Sequence, residues 1–184
     1  PHEEIRLHNL VIDLTGQETE RKEAEPYKAQ NFRITDDHLG EGGAKTKYAF
    51  NIAAIQTLKQ IEAEGRQARP DEQEILSRYV GWGGLPQAFD AENASWQKEY
   101  QQLKSLLTDE EYAAARGSTL NAHYTSPVVI RAMYEALDSM GFQDGNVLEP
   151  ACGVGNFFGM LPEAMQSSKL YGVELDSITG RMAR

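Results

Sequence analysis

The residues of this chain with the clearest chemical potential are carboxylates and glycines set close together. Val147-Leu148-Glu149-Pro150-Ala151-Cys152-Gly153-Val154-Gly155-Asn156-Phe157 runs from apolar residues into an acid, past a proline, to two glycines a residue apart. This pattern reads as a strand, a tight turn and the start of a helix. Glycine lets backbone approach a ligand closely, and open α/β sheets bind ligands at the carboxyl ends of their strands. A second apolar run, Lys169 to Leu175, also carries an acid near its end, Glu174. Strand, helix and strand over so short a span predict a right-handed βαβ unit of a parallel sheet.

Glu174 follows the glycines by roughly twenty residues, the place where an acid accepts hydrogen bonds from ribose hydroxyls. That pattern alone serves dinucleotides and S-adenosylmethionine equally. Two features separate them. Glu149, inside the turn, would repel a pyrophosphate and attract a sulfonium or an ammonium. Upstream, Tyr124-Thr125-Ser126-Pro127 could fold over the same pocket and set an aromatic face near the sulfonium, a cation–π contact. Plainer roles stand beside these: Glu149 as a cap on the helix after Gly155, and Tyr124 as a packing aromatic. Cys152 reads as a small space-filler, not a nucleophile.

The elements that must position these residues change in character along the chain. Residues 1–38 read as a polar leader. Ile5 to Leu14 could form a short strand or a helical turn, and the charged stretch Gly16–Gln30 reads as a solvated linker. Gly40-Glu41-Gly42-Gly43 precedes Ala44-Lys45-Thr46, but the spacing does not fit a phosphate-binding loop. Tyr48, Ile52, Ile55, Leu58 and Ile61 recur at helical spacing up to Gly65. A second helix opens at Pro70, with Ile75, Leu76, Tyr79 and Val80 as its stripe, and stops at Gly81. Trp82, set among three glycines, reads as a core anchor in preference to a stacking platform for a base.

Two more helices are expected over 95–107 and 108–115, the second opened by a Thr108–Glu111 capping box. These make residues 39–118 a helical region. After it, Pro127 leads a helix whose apolar stripe is Val128, Val129, Met133, Leu137 and Met140, closed by Gly141. The glycine turn is expected to open a helix over Gly155–Met165.

Composition narrows the function classes. The chain has 184 residues, 40% of them apolar, and a formal net charge of −10. It lacks the overall basic balance of a stand-alone nucleic-acid module. The one cysteine excludes an internal disulfide and points to a reducing cytoplasm. No apolar run approaches membrane-spanning length, so no membrane association is expected. The four histidines, His2, His8, His38 and His123, are scattered and offer no ligand pair. The chain starts without methionine and stops in a helical pattern, which reads as a piece of a longer protein.

The run His123-Tyr124-Thr125-Ser126-Pro127, then Val147 through Phe157, then Tyr171-Gly172-Val173-Glu174-Leu175-Asp176 resembles the S-adenosylmethionine half of N6-adenine DNA methyltransferases. Ser126 is a departure, since the family often has Tyr-Thr-Pro. Upstream, Asn31-Phe32-Arg33-Ile34 and Tyr79 to Pro86 are similar to methylase–helicase proteins of phages and mobile elements. The resemblance implies an α/β fold: an N-terminal helical region, then the first βαβ part of a Rossmann-like class I methyltransferase sheet over 119–184.

It further implies that Tyr124 and Thr125 contact the methionine end of the cofactor. Glu149, Pro150, Ala151, Gly153 and Gly155 would hold its amino acid and sulfonium, Glu174 its ribose, and Leu175 would lie beside its adenine. Asn156 and Phe157 would line the opening helix. The family's acceptor element, Asn/Asp-Pro-Pro-Tyr/Phe, stacks on a flipped base, and no Pro-Pro occurs here. These 184 residues alone are therefore expected to be inactive. DNA, a helicase domain or a restriction partner would be met through the parent protein. A non-catalytic docking module is the alternative. The unpaired edge of the first strand predicts self-association, or loose order over 145–184.

Overall fold

The computed structural model describes residues 30–184 and, before them, only two paired antiparallel strands, β1 (Val11–Ile12) and β2 (Glu18–Thr19). Most of the expected leader and its linker lies outside the described residues. Seven α-helices and a two-stranded parallel sheet make the rest a mixed α/β structure.

Helix α1 (Ala44–Glu64) buries Tyr48, Ile52, Ile55, Leu58 and Ile61, the stripe that the spacing predicts. Gly65 ends it in the left-handed conformation, its N–H donating to the Glu62 carbonyl. Lys45 is committed to Glu99 at 2.8 Å and to the Ser95 carbonyl at 2.8 Å, and it lies over the Trp96 ring. It anchors the helix to the core and builds no phosphate cradle.

Helix α2 (Pro70–Ser77) starts where predicted and ends early. Glu72 closes its first turn by accepting from the Arg69 N–H at 2.8 Å, and Arg66 grips the same carboxylate. Leu76 and Tyr79 are buried, but Ile75 is exposed, so the expected four-residue stripe is only partly realised. The early end traces to Asn51 of α1. This buried amide accepts from the Val80 N–H at 2.9 Å and donates to the Gly81 carbonyl at 2.5 Å, pulling the chain out of the helix. Trp82, 1% exposed, then meets Tyr48, Tyr79 and Phe89 edge-on, with ring centroids 5.2 to 6.5 Å apart. It is a core anchor and unavailable for stacking on a base.

Helices α3 (Gln97–Leu106) and α4 (Asp109–Gly117) complete this core. The capping box is present: Thr108 Oγ1 accepts from Glu111 N–H, and Glu111 accepts from Thr108 N–H. The Glu111 carboxylate also holds Lys59 of α1 and Arg181 of the last helix.

Helix α5 (Pro127–Ser139) corrects the sequence reading. Val128, Val129, Met133, Leu137 and Met140, the expected buried stripe, are all exposed. The buried residues are Pro127, Ile130 and Tyr134. Ile130 and Tyr134, four apart on one face, enter a second core with Leu161 and Met165, and the Tyr134 hydroxyl donates to the Phe157 carbonyl at 2.7 Å.

Strand β3 (Asn146–Glu149) and strand β4 (Lys169–Gly172) are parallel, with Val147 opposite Leu170 and Leu148 opposite Tyr171. Two expected elements are shorter. The helix after the glycines is α6 (Asn156–Gly159) followed by a 3₁₀ turn at Glu163–Met165. Pro162 supplies no N–H, and the Gly159 carbonyl accepts from Ile34 N–H at 2.9 Å instead of continuing the helix. The second strand stops at Gly172 and not at Leu175, because Val173 bridges the glycine turn: its N–H donates to the Glu149 backbone carbonyl and its carbonyl accepts from the Cys152 N–H. Helix α7 (Ser177–Met182), capped by Asp176, sends Ile178 and Met182 into the first core.

Candidate functional site

Tyr124 lies between the helical core and the glycine turn. Its ring meets Tyr79 edge-on at 6.1 Å and is wedged between Gly81 and Gly153. A Cβ on Gly81 would lie 2.7 Å from the ring, and one on Gly153 2.8 Å from it. Both glycines have positive φ, so any other residue would be strained and would collide. Burial pushes the Tyr124 hydroxyl above its usual range, so it stays protonated.

Below the ring, Gly153 N–H donates to Glu174 Oε2 at 2.8 Å, and Asp176 N–H donates to Glu174 Oε1 at 2.9 Å. The acid at the end of the second apolar run therefore ties the glycine turn to the start of α7. Each oxygen keeps a free lone pair for a further donor. Asp176 in turn accepts from the Thr179 N–H and hydroxyl. Glu149 is the least committed of the three acids, with one long contact of 3.4 Å from the Ala151 N–H. Among the described residues no side chain caps α6, so the capping role open to Glu149 is not realised. Cys152 is half-buried, its sulfur 2.9 Å from where a Gly172 Cβ would stand. Burial first, and Glu174 second, raise its thiol above the usual range, which leaves it a space-filler and not a thiolate.

These groups surround a cavity of about 670 Å³, within the usual size of small-molecule sites. Of the residues predicted from sequence, Tyr124, Thr125, Glu149, Ala151, Gly153, Asn156, Phe157, Glu174 and Leu175 line it. Pro150 and Gly155 do not; Gly155 lines a different cavity together with Phe158 and Gly172. Leu175 stands 100% exposed at this wall. Three carboxylates, Glu149, Glu174 and Asp176, line the cavity, and among the described residues no Lys or Arg does. The Oδ1 atom of Asn156 is buried and accepts from no donor among the described residues.

The opposite wall was not legible in the sequence. Tyr79, Gly81, Ala114 and Gly117 come from the helical region, and the stretch 121–123 from the segment that follows it. The signal that could have found them is the density of glycines around Trp82, which permits close approach of another segment. Among the described residues no group of His, Cys, Asp and Glu has metal-site geometry, and no helix is long and apolar enough to cross a membrane. Compared with protein families, curated proteins and solved structures, the chain matches none.

Proposed function

We propose that this cavity holds S-adenosylmethionine and that the chain is the cofactor-binding part of a DNA adenine-N6 methyltransferase. The observation carrying this reading is the charge of the wall: three carboxylates and, among the described residues, no Lys or Arg. Such a wall opposes a pyrophosphate and favours a ligand bearing a sulfonium and an ammonium. The residues suit the group in two further ways. Asn156 Oδ1 is a buried acceptor awaiting a donor, and burial without a partner is costly. Glu149 is uncommitted enough to take the ammonium.

When bound, S-adenosylmethionine supplies an electrophilic methyl to a positioned amine. In this reading Glu149 orients the amino acid end, Tyr124 presents its ring to the sulfonium, and Glu174 shares its free lone pairs with the ribose while holding Gly153. Leu175 covers the adenine. The sheet belongs to a Rossmann-like class I methyltransferase fold, of which β3 and β4 are the first parallel pair. DNA is the macromolecular substrate in this proposal, and a helicase or restriction subunit is its associated partner.

Calorimetry with S-adenosylmethionine, S-adenosylhomocysteine and NAD tests the reading. Binding of either sulfur ligand without NAD supports it. Binding of NAD, or of none of the three, overturns it. The absence of any Pro-Pro pair adds an expected outcome: no methyl transfer to DNA by these 184 residues alone.

A further inference from the structure

Of the turn Gly81–Gly84, Gly81 lines the cavity, and Asn51 ties the turn to α1. Asn51, wholly buried, accepts from the Val80 N–H and donates to the Gly81 carbonyl, holding the chain on both sides of the Val80–Gly81 link. Two residues on, Gly83 N–H donates to the Ala122 carbonyl at 3.1 Å, and Gly84 N–H donates to the Thr119 carbonyl at 3.2 Å. A Cβ on Gly83 would lie 2.1 Å from the Ala122 oxygen and 2.8 Å from His123 Nδ1. No side chain fits there, so the two backbones touch only because the residue is glycine. The loop thus clamped, 119–125, carries Tyr124 onto Gly153. The clamp is anchored on a 21-residue helix whose buried face is fully packed.

We propose that Asn51 and Gly83 are positioning residues for the cavity, acting through the 119–125 loop on Tyr124. The helical region then determines cofactor affinity, although Asn51 and Gly83 are not among the residues lining the cavity. This rests on reading the cavity as an S-adenosylmethionine site.

The test is a double-mutant cycle on binding of S-adenosylhomocysteine, combined with amide hydrogen exchange. Gly83→Ala is expected to weaken binding at least tenfold. In a Tyr124→Ala background the same change should have little further effect, because its route to the ligand is gone. Equal losses in both backgrounds overturn the proposal. Asn51→Asp keeps the acceptor for Val80 N–H, removes the donor to Gly81, and serves if Gly83→Ala does not fold. In the unaltered chain, saturating S-adenosylhomocysteine must slow exchange at the Gly83 and Gly84 amides, by reciprocity of coupling; unchanged rates count against it. If the unaltered chain binds neither S-adenosylmethionine nor S-adenosylhomocysteine, the ligand reading fails by itself. Positioning is then decided by exchange alone: Gly83→Ala must speed exchange over 119–125 and 152–155 while α1 stays protected. A uniform change, or none, overturns it.

Discussion

The helical core and the parallel sheet handle their apolar residues in opposite ways. In the core, Tyr48, Ile52, Ile55, Leu58 and Ile61 all disappear against α2, α4, α7 and the aromatic cluster around Trp82. At the sheet, Leu148 and its cross-strand neighbour Tyr171 stay exposed, as do Val173 and the stripe of α5. The difference lies in what each element needs. An amphipathic helix is satisfied by one neighbour along one stripe. A parallel strand has two edges and two faces, and its usual surroundings cover both faces. Among the described residues β3 pairs on one edge only. The cavity lies where the satisfied region meets the unsatisfied one.

This comparison can be broken by substitutions chosen on each side. Trp82→Ala should be the most damaging, at about 3–5 kcal/mol, the usual cost of emptying a buried aromatic site. Urea denaturation would measure it. Because Tyr79 touches both Trp82 and Tyr124, loss of the cavity should accompany loss of the core. A variant that kept the cavity intact would show the two regions to be independent.

Glu111 comes next. Burial raises its carboxyl, but hydrogen bonds from Lys59, the Thr108 N–H and Arg181 outweigh it and leave the pKa below the ordinary 4.5. A carboxylate depressed in the folded state stabilises fully above its unfolded pKa. That stability is lost as pH falls from about 4.5 through the depressed folded value. Glu111→Gln should cost about 1–3 kcal/mol at neutral pH, because Lys59 and Arg181 lose a shared partner. It should also flatten the acid limb of the stability–pH curve; an unaltered acid limb would remove Glu111 from the link between α1, α4 and α7.

At the cavity, Glu149→Gln should weaken S-adenosylmethionine about tenfold, roughly 1.4 kcal/mol, with little change in melting temperature. Calorimetry and a thermal melt together check this. A large fall in stability would assign Glu149 to the fold instead.

The smallest effect belongs to the uncovered faces. Met133→Gln on α5 should change stability by no more than about 0.5 kcal/mol, in contrast to Trp82. Leu148→Lys should act on association and leave stability alone: light scattering of the unaltered chain should show self-association through the β3 edge, and the lysine should reduce it. A monomer before and after the change would remove that expectation.

The sequence was most readable where local chemistry decides. Helix starts at Pro70 and Thr108, the Gly65 cap, strand β3 and most of the acid–glycine wall follow from short-range spacing. It was least readable where a distant group takes a backbone atom. Ile34 captures the Gly159 carbonyl and shortens α6. Asn51 captures the Val80 N–H and the Gly81 carbonyl and shortens α2. The α5 stripe was misassigned because periodicity reports an apolar face but not whether anything covers it.

By itself the sequence supplied the candidate groups: acids and glycines at a strand end, with an aromatic upstream, are legible in residue type and spacing. Only the tertiary structure decided that Glu174 holds Gly153, that Glu149 remains uncommitted, and that the far wall of the cavity comes from the helical region. Those outcomes depend on contacts between segments many residues apart, where the close approach of Gly81, Gly83 and Gly153 to the 119–125 loop is sterically possible.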